Sequence, residues 1–488
     1  MHQNNSNQTL RYFIILVIII DLIASYFCFL QTPLLGDLAN MVLPSEEYAP
    51  VLSDPLGFKM LSSGETHTGP NRFFLHWFSY LYFNHFPLFL QNFIHPVDSV
   101  YVSCAIHKLF THIGITYILT SWVTPRIPFF HERFLFIFAL LGSLSLASPY
   151  GFLFPMRVID QSIIYTFAYA FSLLALLAYM HPFVKMYCQT RPLEFKWWEH
   201  LLLITLSFVV IFNGPINAPT AILISSLALL GLWWHNFKQQ PGYGVTQFVK
   251  AISLIPRPIL FHFGWIILLG LYSFYLGTFN TENPTALPSV LERFDLLAAG
   301  IFKILFLVKT TPLTIVILTT IALYFLHRYH PSDALKKLLT IAKYIIIFIL
   351  IYTVLLPFGG YRGYRNLIIR FDTMLPITFG LFILLGATAN LLLQSLSKSS
   401  AQKLKTAILA VVTLVTIIDS LSLYPVRNSC ERSTLFQLSE ATEEPVLIPD
   451  CSILSWEPIP PHQYISPQSK MLHRWNITQK PLIYYHPN

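Results

Sequence analysis

The chain has 488 residues, 54% of them hydrophobic and only 11% charged, with a formal net charge of +8 and a mean hydropathy of +0.57. A water-soluble chain carries about a quarter charged residues, so this one has too little polar surface to cover a globule in water, and its charge is no nucleic-acid signal. Apolar runs able to cross about 30 Å of hydrocarbon recur along nearly the whole length; they do not alternate as barrel strands do, for example over 341–350, so they are expected to be helices.

In chain order the expected spans are 12–30, 100–121, 134–148, 163–181, 200–213, 219–234, 259–278, 311–327, 338–357, 373–395 and 406–422, about eleven in all. The pair over 200–234 could instead be one re-entrant hairpin. The expected class is an all-α polytopic bundle, with a transmembrane domain over 1–422 and a small segment over 423–488. The first run follows a polar stretch ending at Arg11 and is read as a retained span, since no small-residue cleavage site follows it.

The loops 122–133, 182–199, 235–258, 328–337 and 396–405 are dense in lysine and arginine, among them Arg126, Lys185, Lys238, Arg328 and Lys403. The remaining loops are longer and sparser in base, so the first set is expected on the cytoplasmic side, with the N-terminus. An odd number of spans then puts 423–488 outside. The first outer loop, 31–99, carries Phe73, Phe74, Trp77, Phe78, Tyr80, Tyr82 and Phe83, a density suited to the membrane boundary. Part of 72–94 is expected to be a helix lying in the interface plane. The segment 279–310 is expected to lie on or dip into the surface, and the tail is expected to be a small irregular cap. Cys28, Cys104 and Cys188 sit in or beside apolar runs as small core residues. Cys430 and Cys451 could pair if the tail faces an oxidising compartment.

Three outer stretches could carry chemistry. Asp37, in Pro33-Leu34-Leu35-Gly36-Asp37, follows the first span closely. A carboxylate there could act as a general base or a metal ligand, or simply cap a helix. Arg157 and Asp160 stand three apart just before a span; on a helix they would share a face, as a membrane-proximal site or a plain ion pair. The loop 358–372 gathers Tyr361, Arg362, Tyr364, Arg365 and Arg370 among three glycines. Paired guanidinium donors and open backbone amides suit a phosphate; lipid headgroups, or salt bridges to Asp372, would use the same groups. Within the spans, Asp21, His107, Lys108, His112, Asn390 and Asp419 are costly in lipid and are read as interhelical hydrogen-bond partners or the lining of a wet cavity. The chain has no phosphate-cradling Gly-Lys-Ser/Thr loop, dinucleotide fingerprint, zinc motif or Gly-x-Ser-x-Gly.

An acid soon after the first span, a long first outer loop, a second acid between the third and fourth spans and an outer tail together resemble the GT-C class of membrane glycosyltransferases. This chain has Gly36-Asp37 where that class often has an acidic pair. The resemblance implies transfer of a sugar from a polyprenyl-phosphate carrier to a glycan or lipid acceptor at the outer membrane face. Asp37 would be the general base, and Asp160 would orient the acceptor or assist. Arg362, Arg365 and Arg370 would hold the phosphate with Tyr361 and Tyr364 beside them, and Arg157 would be a secondary anion contact. No metal ligand is assigned, although a divalent metal would suit the class. The expected setting is a bacterial inner membrane, with a periplasmic C-terminus and membrane lipid as a partner. The alternatives are a transporter or flippase of a lipid-linked or anionic solute, and a non-catalytic membrane assembly protein.

Overall fold

The computed structural model describes residues 2–44, 46, 48–145, 157–189, 194–240, 244–282, 288–307, 311–359, 367–421, 426–449, 451, 453–456, 459–461 and 463–486. The chain starts with helix α1 (His2–Leu30), followed by the short helices α2 (Leu38–Val42), α3 (Ala49–Ser53) and α4 (Phe58–Ser63) and the longer α5 (Phe73–Leu90). Then come α6 (Pro96–Val123), α7 (Glu132–Ser145) and α8 (Ile163–Tyr165), which runs through a π turn over Thr166–Phe171 into α9 (Ser172–Gln189). Helices α10 (Trp197–Ile211), α11 (Asn217–Gln239), α12 (Val245–Ser253) and α13 (Arg257–Gly277) follow, then α14 (Val290–Phe302) with a second π turn over Lys303–Leu307. The last long helices are α15 (Thr311–Tyr329), α16 (Asp333–Leu355), α17 (Leu375–Ser395) and α18 (Lys398–Leu421). The tail holds α19 (Ser429–Glu440), β1 (Val446–Leu447), α20 (Pro467–Arg474) and β2 (Tyr484–Tyr485), and its two strands pair in parallel.

Nine helices among the described residues are long and apolar enough to cross a membrane: Gln8–Leu30, Pro96–Val123, Ile163–Cys188, Asn217–Gln239, Arg257–Gly277, Pro312–Tyr329, Asp333–Phe358, Leu375–Ser395 and Lys398–Ile418. The chain is a multi-pass membrane protein. The two further spans expected at 134–148 and 200–213 fall on α7 and α10, of 14 and 15 described residues. Neither is among the nine, and the residues that follow α7, 146–156, lie outside the described ones. Helix α7 is nevertheless central, packing against α1, α6, α17 and α18 with Phe136, Ile137 and Leu141 buried.

The expected interfacial stretch 72–94 contains α5, which packs along α6 and under α2 and α3. The 279–310 stretch contains α14, opened by a reciprocal cap in which Ser289 and Glu292 bond each other's backbone. Cys430 and Cys451 are joined in a disulfide. The tail shares one hydrophobic core with the first loop and α6, through Leu435, Leu438, Ile453, Leu454, Met471 and the fully buried Trp475. Its docking is polar as well: Trp475 Nε1 donates to the Phe83 carbonyl at 2.9 Å, Arg474 Nε to Asn84 Oδ1 at 3.0 Å and Gln91 Nε2 to the Trp475 carbonyl at 2.7 Å.

Candidate functional site at the loop end of the bundle

Helix α1 ends in a turn that three side chains from two other parts of the chain hold. The Asn428 side chain donates to the carbonyl of Leu30 at 3.0 Å and, more weakly, to that of Thr32 at 3.4 Å, taking up orphan carbonyls at the helix C-terminus. The fully buried Lys108 of α6 donates to Thr32 Oγ1 at 2.8 Å. The Glu431 carboxylate accepts the Leu34 amide at 2.9 and 3.1 Å.

Asp37 emerges from this turn. It stands at the N-cap position of α2, yet its side chain makes no capping bond. Instead Oδ1 accepts from Trp456 Nε1 of the tail at 3.1 Å. Gly36 is needed for that approach: a Cβ there would lie 2.8 Å from Trp456 Cδ1 and 2.9 Å from its backbone nitrogen. Trp456 is half exposed and its ring lies 6.2 Å from that of Tyr165.

Tyr165 ends the short helix α8, which Ser162 caps two residues after Asp160. Residues 157–162 are irregular, not helical, so the expected shared helix face is replaced by a bend. Across it Arg157 Nη2 still pairs with Asp160 Oδ2 at 3.1 Å. The other oxygen, Oδ1, accepts the Ser162 amide at 2.8 Å, and Ser162 Oγ in turn caps Tyr165 N at 3.4 Å. Lys108 joins the two acid-bearing loops, since its Nζ also donates to the Gln161 carbonyl at 2.6 Å. A buried ammonium would be costly alone; here it holds Thr32 and Gln161 together, five residues before Asp37 and one after Asp160.

The third stretch meets the second through Arg157, whose guanidinium lies 5.2 Å from the Phe371 ring centre. Beside it, Arg370 forms a two-bond pair with Asp372, Nε to Oδ1 at 3.1 Å and Nη2 to Oδ2 at 3.0 Å. Thr373 braces the turn by accepting the Arg370 amide at 2.9 Å, and its carbonyl accepts from Tyr352 OH at 2.9 Å. Gly300 of α14 sits directly on this segment, where a Cβ would be 2.6 Å from Ile369 Cγ2. Of the anticipated anion-binding loop, Arg370 is placed, whereas Tyr361, Arg362, Tyr364 and Arg365 lie outside the described residues.

The three stretches therefore meet at one end of the bundle, bridged by Lys108, Trp456–Tyr165 and Arg157–Phe371. Two of the three acids hold arginines; among the described residues, no lysine or arginine is ion-paired with Asp37. Trp456, Tyr165 and Lys108 were not expected as parts of this site. A tryptophan in an outer tail and a lysine amid apolar residues were the signals available for two of them. Among the described residues no three His, Cys, Asp or Glu side chains gather to hold a metal ion.

The other polar residues within spans serve packing. Asn390 donates to the Val123 carbonyl at 2.8 Å, and His107 stacks on Phe167 at 3.7 Å between ring centres. Asp21 accepts from Thr416 at 3.3 Å and, with His112, lines a cavity of about 10 Å³, room for one water. The side chain of Asp419 lies outside the described residues.

Among the strongly perturbed groups outside the spans are a carboxyl and an imidazole. Burial pushes the Glu431 carboxyl up to about 7, against the opposing pull of its bonds from Leu34, Tyr101 and Leu454. Burial, helped by the neighbouring Arg72 guanidinium, pushes His76 of α5 down to about 4.

Comparisons with protein-family models, with curated proteins and with solved structures found no match to this chain.

Proposed function

We propose that this protein is a membrane glycosyltransferase that works at the loop end of its bundle, moving a sugar from a polyprenyl-phosphate carrier to a glycan or lipid acceptor. The observation that carries the reading is the contrast among the three acids. Asp160 and Asp372 are engaged by arginines, whereas Asp37 has one oxygen fixed by an indole N–H and is partly exposed at the same end. A carboxylate held in place and, among the described residues, without a lysine or arginine ion pair suits a general base.

In the proposed reaction Asp37 takes the proton of an acceptor hydroxyl. That oxygen bonds to the anomeric carbon of the donor sugar, and the bond from that carbon to the carrier phosphate breaks. The electron pair leaves with the phosphate, which gains charge. Arg157 and Arg370 already carry positive charge on this rim, and preorganised cations stabilise such developing charge. Arg362, Arg365, Tyr361 and Tyr364 belong to the same proposal as further phosphate contacts. The exposed face of Trp456 and the ring of Tyr165 offer an apolar wall for a sugar. Asp160 orients Arg157 through their ion pair. The base-rich loops put the opposite end in the cytoplasm, so the reaction belongs on the outer face, in a bacterial inner membrane with the tail periplasmic.

Asp37→Asn is expected to abolish one surface glycan or glycolipid, a drop in transfer of about 10²–10⁴-fold, while the protein still inserts in the membrane. A normal glycan profile with normal insertion would dismiss the enzyme reading. It would favour an assembly role, with which the already paired Arg157 and Arg370 are compatible.

A further inference from the structure

The search beyond Asp37 itself leads to a carboxylate in the tail. Glu431 is 3% exposed, although it lies in a segment outside the spans. Its two oxygens accept the Leu34 amide, and Oε2 also accepts from Tyr101 OH of α6 at 2.8 Å. The Leu454 amide bonds it from a third side. These donors belong to three separate pieces of chain. Leu34 lies three residues before Asp37, and Leu454 lies two residues before Trp456, the donor to Asp37.

The residues around Glu431 anchor it. Cys430 is bonded to Cys451, which starts the segment leading to Leu454 and Trp456. Arg432 pairs with Asp98 at the start of α6 and lies 4.9 Å from the Tyr101 ring centre. Asn428 holds the end of α1. One side chain thus sets the backbone on both sides of the Asp37–Trp456 hydrogen bond.

We infer that Glu431 is a positioning residue: its carboxylate fixes the turn that presents Asp37 and the segment that presents Trp456, so that the two meet in one geometry. The inference that this serves catalysis rests on the proposed transfer reaction; the inference that it sets the geometry does not. A buried carboxylate is costly unless its hydrogen bonds are met. In a tail of 66 residues, counted from 423 to 488, the same space could have been filled by a leucine if packing alone were required.

The test uses the full-length protein in lipid nanodiscs, with Glu431→Ala and the isosteric Glu431→Gln. Two quantities are read: amide hydrogen exchange by segment, and kcat and KM for sugar transfer. In Glu431→Ala, exchange is expected to rise about tenfold or more in both 34–37 and 454–456, with α17 unchanged, as for the loss of one to two hydrogen bonds. kcat is expected to fall about tenfold or more, with KM within about twofold. Glu431→Gln keeps one acceptor oxygen and is expected to restore most of both. Exchange that rises in neither segment, or in only one, overturns the positioning inference; exchange that rises in both with kcat unchanged confines Glu431 to structure and overturns its link to catalysis. If Glu431→Ala fails to fold, Glu431→Asp, which draws the carboxylate back by one methylene from the Leu34 and Tyr101 donors, decides by the same criteria. If the native protein transfers no sugar, the proposed function fails, and exchange alone still decides whether Glu431 sets the geometry.

Discussion

At the scale of single residues, the site depends on close approach. Gly36 lets the Trp456 backbone come within van der Waals distance of the first loop, and two of the three atoms nearest a Cβ there are backbone atoms of Ser455 and Trp456, which cannot rotate away. Gly36→Ala is therefore expected to push the 455–456 segment off the loop at a cost of about 1–3 kcal/mol. Faster protease cleavage within the tail, with the spans still inserted, is the measurement; an unchanged cleavage rate would show that the contact is dispensable. Asp37 itself was legible in the sequence by position alone. Its separation from a capping role was not, because Asp at a helix start is ordinarily a cap, and only the tail's indole reveals the alternative. Lys108 was legible as an expensive residue in lipid, but the carbonyl and hydroxyl that satisfy it come from loops far away in sequence, so periodicity could not name them.

At the scale of elements, the long apolar helices announced themselves and the exceptions have a physical reason. Helices α7 and α10 are read as spans from their apolar runs, but with 14 and 15 described residues they fall below the length of the nine, and hydropathy does not report where a helix ends. The irregular bend over 157–162 defeated the helix-face argument, because Asp160 uses one oxygen to bond the Ser162 amide and so favours a turn at that point. The tail was expected to be irregular, yet it builds two helices and a strand pair around a disulfide, and its core is completed by the first loop. Its docking is expected to depend on pH. Glu431 has a carboxyl raised from an ordinary 4.5 to about 7 by burial, so the docked state binds its proton more tightly than the undocked one. The stabilisation is full below about 4.5 and is lost as pH rises through about 7. Around it stand the Tyr101 and Tyr484 hydroxyls and the Cys104 thiol. Hydrogen exchange of the tail at pH 5 and pH 8 is expected to be faster at the higher value, after correction for intrinsic rates, and Glu431→Gln is expected to flatten the difference. Equal corrected exchange in the native protein at the two values would contradict this assignment.

At the scale of the whole molecule, the bundle brings to one end three stretches that are separated by more than a hundred residues in sequence at each step. The sequence alone could suggest that convergence by counting spans, but the bridges that fix it are particular side chains: Lys108, Trp456 and Arg157. The proposed site is thus joined by a specific contact set around Asp37, which no described lysine or arginine pairs with. The most direct measurement is transfer by the purified protein, in nanodiscs, from a polyprenyl-phosphate-linked sugar to an added acceptor, for native protein and Asp37→Asn. Transfer by the native protein and its loss by about 10²-fold or more in the variant, with both equally folded, is the expected result; equal transfer by the two, or none by the native protein across a panel of sugar donors, would contradict it.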